Sequence, residues 1–319
     1  MIFLYTISTL GKSSRVITAE NPPWWQKVGL FLNFGLPISS SREQKEILDK
    51  NFPLPTEEEN RWDVLILGIR GSEDPDGGLL SDSILLFSLN KETGKSGLTS
   101  IPRDIYAEMP GLAKGKVNEI YEKGIARRKA LDFSKEAFSR LTAIYIDNVI
   151  IFDFKAFREI VDALEGIDLN LKKPFEEKNQ WGYEFSLPVG PNHLNGQEAL
   201  YFVRSRYSTS DFDRSLRQQQ VILAIKNKAF SAGILSNPLK LGPLLKSVTK
   251  NIMTDLNIFD TGHLIKLANS FNPKENEPAL GHLSTNNILD QTFQDDIYIL
   301  RPKNNDWQLF RKYFKDILN

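Results

Sequence analysis

The strongest constraint on the fold is a set of short, almost unbroken apolar runs: Trp62–Ile69 (WDVLILGI), Asp82–Asn90 (DSILLFSLN) and Ser96–Ile101. Runs of this length, rich in Val, Ile and Leu and bounded by Gly and polar loops, suit strands buried on both faces; a helix needs a longer, 3.6-periodic pattern. Asn90-Lys91-Glu92-Thr93-Gly94 between the last two has hairpin-turn chemistry. Farther along the period changes. Phe154, Phe157, Ile160, Val161 and Leu164 share one helical face and precede a strand at Ile167–Leu171, and Asp213–Ser231 reads as a long helix carrying Leu216, Val221, Ile222, Ala224 and Ile225. Helices are also expected at Pro238–Lys250, Asn257–Asn269 and Trp307–Ile317, and short strands at Ala279–Ser284 and Ile297–Leu300. Strands alternating with helices predict an α/β, α+β-layered domain over residues 62–319.

Composition narrows the function classes. The 319 residues contain no Cys, which excludes disulfides and thiolate metal sites and suits an exported protein. Lys and Arg total 40 and so do Asp and Glu, so no general attraction to nucleic acid or anionic lipid is expected and any anion site must be local. No stretch reaches the roughly 18 apolar residues of a membrane span; Met1–Leu10 reads as an ordinary first strand or as the stub of an anchor. Residues 1–61, with Trp24, Trp25, Phe31, Phe34 and the acids Glu57–Glu59, read as a membrane-proximal or linker segment with one packing helix.

Chemistry concentrates in Tyr201–Gln220, YFVRSRYSTSDFDRSLRQQQ. Arg204 and Arg206 read as alternating on an extended segment and therefore pointing the same way. Asp211 and Asp213 follow in a loop, with Asp213 the expected N-cap, and Arg214 and Gln218 share a helix face beside Arg217. Several guanidiniums and an amide beside a helix N-terminus suit a phosphate group. The same arginines could instead pair with Asp211 and Asp213 as solvated ion pairs. Two further clusters stand at strand ends, Gly77–Ser83 with Asp82 and Ser100–Tyr106 with Arg103, where α/β sheets gather ligands. Lys116–Tyr121 adds a cation and an amide at the start of another helix.

Taken in order, WDVLILGI, SDSILLFSLNKETGK, SIPRDIYAEMPG, KVNEIY, FREIVDALEGIDL and LNGQEALYFVRSRYS…DFDRSLRQQQ resemble the LytR-CpsA-Psr family of envelope phosphotransferases over residues 62–225. The resemblance implies a central mixed β-sheet flanked by helices, with an apolar tunnel for a lipid that Phe87, Phe152, Phe154 and Phe157 could line. It implies transfer of a glycan phosphate from a polyprenyl-pyrophosphate-linked glycan to a hydroxyl of peptidoglycan or another wall acceptor. The site would lie at the membrane surface on the extracytoplasmic side, the chain being tethered by an N-terminal helix. Arg103, Arg204, Arg206, Arg214 and Gln218 would contact the pyrophosphate, with Arg217 beside them, and Asp82 would help hold Mg²⁺. Asp82, Arg103 and Asp211 would act in catalysis, a carboxylate positioning or deprotonating the acceptor. Two positions depart from the pattern. Leu67-Gly68-Ile69-Arg70 stands where the family has Leu-Gly-x-Asp, and Leu80-Ser81-Asp82 where it has Arg-Ser-Asp. One metal-binding carboxylate and one arginine are thus missing, and Arg70 is expected to supply the positive charge in their place.

Other classes fare worse. A polyprenyl-pyrophosphate-binding protein without transferase activity, and a pyrophosphohydrolase using water in the same cradle, are the nearest alternatives. A DNA-binding attenuator lacks both a basic surface and a recognition helix, so no nucleic-acid partner is expected. His193, His263 and His282 are too far apart for a metal pair at helical spacing, and no Ser occupies a Gly-x-Ser-x-Gly elbow.

Overall fold

In a computed structural model the residues described are 42–71, 77–233, 252–257, 260 and 277–319. Helix α1 (Arg42–Asn51) precedes strands β1 (Arg61–Ile69), β2 (Ser81–Asn90) and β3 (Ser96–Ser100) and the hairpin β4 (Tyr106–Met109) and β5 (Ala113–Lys116). Next come α2 (Ile120–Ala126), α3 (Ala130–Thr142), β6 (Asn148–Phe152), α4 (Phe154–Ala163), β7 (Ile167–Leu171), β8 (Phe175–Glu177), β9 (Phe185–Leu187) and β10 (Gly190–Leu194). The chain continues through α5 (Gly196–Arg204), α6 (Asp211–Ser231), β11 (Ile252–Thr254), β12 (Ala279–His282), β13 (Leu289–Gln294), β14 (Ile297–Pro302) and α7 (Trp307–Lys315).

The central sheet runs β11-β6-β1-β2-β3-β12 and is mixed, as expected. β1 pairs parallel with β6 and antiparallel with β2; β3 is antiparallel to β2 and parallel to β12. Strands β1, β3, β6 and β12 therefore all finish at one edge, where β2 starts, and that edge is where such sheets place ligands. The β2–β3 turn forms as its residues predict. The Asn90 carboxamide accepts from the amides of Glu92 and Thr93 at 3.0 and 2.9 Å, and Gly94 takes φ +68°.

The two faces of the sheet are covered differently. Leu65, Leu67, Ile69, Ile84, Leu86, Val149 and Ile151 join a core with Phe138 and Leu141 of α3, Phe310 and Phe314 of α7, and Leu48 and Phe52. Helix α1, within the segment read as a linker, is thus packed on the domain. Arg140 of α3 reinforces it, donating to Asp49 and to the Phe52 carbonyl, both at 2.8 Å. On the opposite face Trp62, Ile66, Phe87, Ile150 and Phe152 are only half-buried. That face is overlaid by a second core of α4, α5 and α6 with β7 to β10, built on Phe157, Val161, Leu200, Phe202 and Val221.

Two local expectations need correction. Arg204 is not on an extended segment: it ends α5, whose apolar Ala199, Leu200, Phe202 and Val203 are buried, and Ser205 is the C-cap. Asp213 is not the N-cap of the long helix. Ser210 is, and Asp213 is its capping-box partner, because α6 begins at Asp211. The expected helix at 238–250, most of that at 257–269, and residues 1–41 lie outside the described residues.

Candidate functional site

The site grows from the finishing edge of the sheet. β1 runs out through Arg70 into Gly71, where φ is +81° and an added Cβ would lie 2.6 Å from the Asp153 Cβ. Only glycine permits that approach. Asp153 is fixed as the N-cap of α4, accepting from Ala156 N at 2.8 Å. Arg70 then reaches across to β2, its Nε donating to Asp82 Oδ2 at 3.0 Å.

The second wall is the segment between α5 and α6, which carries Arg206 and leads to Asp211 and Arg214. It is held from the β8–β9 connection. Gln180 donates to the Arg204 carbonyl at 3.2 Å and accepts from Arg206 N at 2.8 Å. The fully buried Glu177 carboxylate accepts from Tyr207 N, Ser208 N and Ser208 Oγ, each at 3.1 Å. Burial raises the Glu177 pKa, but the bonds from Ser208 and the Asn179 and Gln180 amides outweigh it and hold the carboxyl below its ordinary value.

Between these walls, α4 and the half-buried sheet face lies a cavity of about 270 Å³. Its lining divides into an apolar set, with Leu85, Phe152, Phe154, Phe157, Leu200, Val203 and Ile222, and a polar set, with Arg70, Asp82, Arg204, Arg206, Arg214 and Gln218. Phe87 lies on the same sheet face, 6.1 Å from the Trp62 ring, rather than in the lining. Arg204 lies over the Phe154 ring at 4.1 Å and the Trp181 ring at 5.2 Å, which fixes a long side chain through cation–π contacts.

Asp82 is the hub of the charges. Arg103 Nη1 donates to its Oδ1 at 2.5 Å and Arg214 Nη2 to its carbonyl at 3.3 Å. Burial pushes the Asp82 carboxyl up, but Arg103, Arg214 and Arg70 more than offset it, so Asp82 stays ionised below the usual range. Arg103 also lies 3.6 Å from Asp211, whose Oδ1 is 2.9 Å from Arg214 Nη2. Arg214 is buried, and its Nε has no acceptor among the described residues. Desolvation, then the nearby Arg103 and Arg206, depress the Arg214 pKa despite Asp211 and Asp82. A buried, crowded cation with an unpaired donor is relieved by an incoming anion.

Three expected site residues lie outside the cavity lining: Arg103 and Asp211, which stand behind it in the ion-pair network of Asp82 and Arg214, and Arg217, which points elsewhere. Arg217 is buried against the Phe175 and Phe202 rings and donates to the carbonyls of Phe202, at 2.8 Å, and Ser205. It closes the C-terminus of α5 and does not line the cavity, because α6 turns its side chain away from the Arg214 and Gln218 face. Lys116 pairs with Asp104 at 2.6 Å, beside Arg103. Leu80 is exposed. His193 pairs on the surface with Asp168 at 2.7 Å and is not part of the cavity lining. Among the described residues no cluster of three or more His, Cys, Asp or Glu side chains could hold a metal.

The sequence pattern described as the LytR_cpsA_psr family matches residues 37–306. The chain belongs to that family. Among its relatives, the polyisoprenyl-teichoic acid–peptidoglycan teichoic acid transferase TagU of Bacillus cereus is 33% identical over 198 residues, which are 60% of this chain and 60% of that one. The regulatory protein MsrR of Staphylococcus aureus is 28% identical over 228 residues, 70% of this chain and 66% of that one. The crystal structure of Bacillus subtilis TagV superposes with a TM-score of 0.63 at 25% identity, covering 82% of this chain and 98% of TagV. This LytR_cpsA_psr chain thus spans less than two thirds of the length of these two curated relatives.

The site of this family member includes groups that motif reasoning passed over. Glu177 ends β8, and Gln180 and Trp181 lie in the β8–β9 connection, a hairpin with no motif of its own. A signal did exist, in the aromatic and amide residues of Asn179-Gln180-Trp181 inside an otherwise charged loop, but it acquires meaning only when that loop is folded against Arg204 and Arg206.

Proposed function

We propose that this chain transfers a glycan phosphate from a polyprenyl-pyrophosphate-linked glycan to a hydroxyl of peptidoglycan or a similar wall acceptor, at the membrane surface on the extracytoplasmic side. The observation that carries the reading is the two-part cavity: an apolar lining for a prenyl chain, continuous with guanidiniums for its pyrophosphate. The half-buried row Trp62, Ile66, Phe87 and Ile150 extends the apolar face along the sheet, as a longer lipid requires. Family membership and the name carried by the TagU relative support the same chemistry. Among the described residues no helix is long and apolar enough to cross a membrane.

Phosphoryl transfer asks the protein chiefly to position groups and neutralise charge. The acceptor oxygen forms a bond to the glycan-bearing phosphorus while the bridge oxygen leaves with the polyprenyl phosphate, an anion that Arg204, Arg206 and Arg214 can stabilise without a general acid. Arg103 fixes Asp82 and approaches Asp211, linking the two carboxylates. The acceptor proton passes to a carboxylate. Each acid is paired with two arginines, Asp82 with Arg70 and Arg103 and Asp211 with Arg214 and, at 3.6 Å, Arg103; Asp211 keeps about a third of its side chain open against a fifth for Asp82, so Asp211 is taken as the acceptor-facing acid and Asp82 as the organiser of the arginines.

The test is incubation of the purified protein with a lipid-linked glycan and a peptidoglycan fragment. Glycan joined to the fragment through phosphate is the expected product. Free glycan phosphate would identify a pyrophosphohydrolase, and unchanged but bound lipid a carrier protein; either result would refute the transferase reading.

A further inference from the structure

We infer that Arg70 is a built-in counter-charge occupying the place of a divalent cation, so that this site binds and turns over its pyrophosphate substrate without Mg²⁺; the inference rests on the phosphoryl-transfer reading above. Asp82 is the only carboxylate lining the cavity among the described residues. Both its oxygens are engaged by guanidiniums, Oδ2 by Arg70 at 3.0 Å and Oδ1 by Arg103 at 2.5 Å. An ion such as Mg²⁺ is usually anchored by one or two carboxylates, with water and phosphate oxygens completing its octahedron. Here it would have to displace a guanidinium from Asp82 and then sit among Arg70, Arg103 and Arg214. The donor set does not fit the ion.

Charge arithmetic explains how the chemistry survives. A carboxylate at position 70 together with a dication would add one positive charge to the site, and the guanidinium adds the same single charge. At position 70 the motif Leu67-Gly68-Ile69-Arg70 therefore keeps the charge that a carboxylate and its dication would bring while removing the exchangeable ion; it does not make up the guanidinium absent at Leu80. The difference lies in geometry, since Arg offers a planar fork of N–H donors to phosphate oxygens and no coordination sites. That fork is held in place from both ends. Gly71 packs against Asp153 at the backbone, and Asp82 receives the Nε of this cavity-lining residue.

Titration calorimetry with geranyl pyrophosphate as the probe tests this in EDTA and in millimolar Mg²⁺. The wild type is expected to bind with the same affinity in both. Arg70→Lys, which keeps the charge, also binds independently of the ion. Arg70→Asp loses about tenfold or more in EDTA, the scale of a lost charge-assisted bond, and regains affinity with Mg²⁺. Electron paramagnetic resonance with Mn²⁺ alone gives a second readout that needs no lipid: Arg70→Asp gains a stoichiometric site that the wild type lacks. A wild type that loses tenfold affinity on chelation, or that binds one Mn²⁺ removed by Asp82→Asn, overturns the inference. A wild type that binds no geranyl pyrophosphate in either buffer refutes the ligand reading instead, and the Mn²⁺ arm still decides this one.

Discussion

Glu177→Gln is the most discriminating perturbation of the site, because it alters no group that would touch substrate. The native carboxylate is fully buried and takes bonds from Tyr207 N and Ser208 N on Oε2, and from Ser208 Oγ on Oε1. Glutamine keeps the shape but turns an NH₂ group toward one of these donor sets. Those donors lose their acceptor, at about 1–3 kcal/mol, and the remaining bonds drop from the charged to the neutral class, about 1 kcal/mol each. With partial relaxation the arginine segment should loosen by about 2–4 kcal/mol. Opening confined to residues 205–210 would appear in amide exchange as roughly 30- to 1000-fold faster exchange at Tyr207 and Ser208. Prenyl-pyrophosphate affinity should fall with it, since Arg206 and Arg214 flank the loosened segment. The depressed Glu177 pKa adds a pH signature. Its stabilising contribution is fully present above the ordinary glutamate value and is lost as the pH falls through the lower folded-state value, so the wild type should approach the mutant only in acid. Native exchange rates in residues 205–210 together with native affinity in Glu177→Gln would refute the idea that this buried carboxylate holds the arginine segment.

Other outcomes follow from the same geometry. Asp82→Asn frees Arg70 and Arg103 from a carboxylate, so pyrophosphate affinity measured by calorimetry should hold or rise while transfer falls; Asp211→Asn should cost more turnover than Asp82→Asn if it is the acceptor-facing acid. Arg217→Ala should lower the melting temperature by several degrees, because carbonyls of Phe202 and Ser205 lose a charged donor, with less effect on lipid binding than Arg214→Ala. Ser210→Ala should cost about 1 kcal/mol of stability through the lost cap of α6, read in denaturant melts. Burial, offset in part by the bond from Asp63 N and increased by the Asp63 charge, raises Asp147 to about 6. Stability contributed by its protonated form is therefore lost as pH rises from its unfolded value of about 4 through 6, and Asp147→Asn should flatten that part of the melting-temperature profile.

Much of the candidate site was legible because its cations lie close together in the chain. Arg204, Arg206, Arg214 and Gln218 lie within one short stretch, and the structure brings all of them to one cavity with Arg70 and Asp82. The stretch misled on orientation, however. Arginines two apart suggested an extended segment, yet Ala199, Leu200, Phe202 and Val203 pull Arg204 into α5 because burying that apolar face outweighs the local polar pattern. Arg217 was misread for a related reason: only three residues from Arg214, it turns into the Phe175 and Phe202 rings, and its target carbonyls belong to a different helix.

By itself the sequence determined the layered α/β class, the strands from Trp62 to Ile101, the β2–β3 turn and the concentration of arginines in Tyr201–Gln220. These are local quantities, set by side-chain period, turn chemistry and charge type, and they depend little on what lies across the sheet. Tertiary structure alone decided that Arg70 pairs with Asp82 across two strands, that Glu177 and Gln180 hold the arginine segment, and that α1 joins the core through Leu48 and Phe52. Each is a contact between residues far apart in the chain, whose partner is chosen by strand register and helix packing rather than by neighbours in sequence.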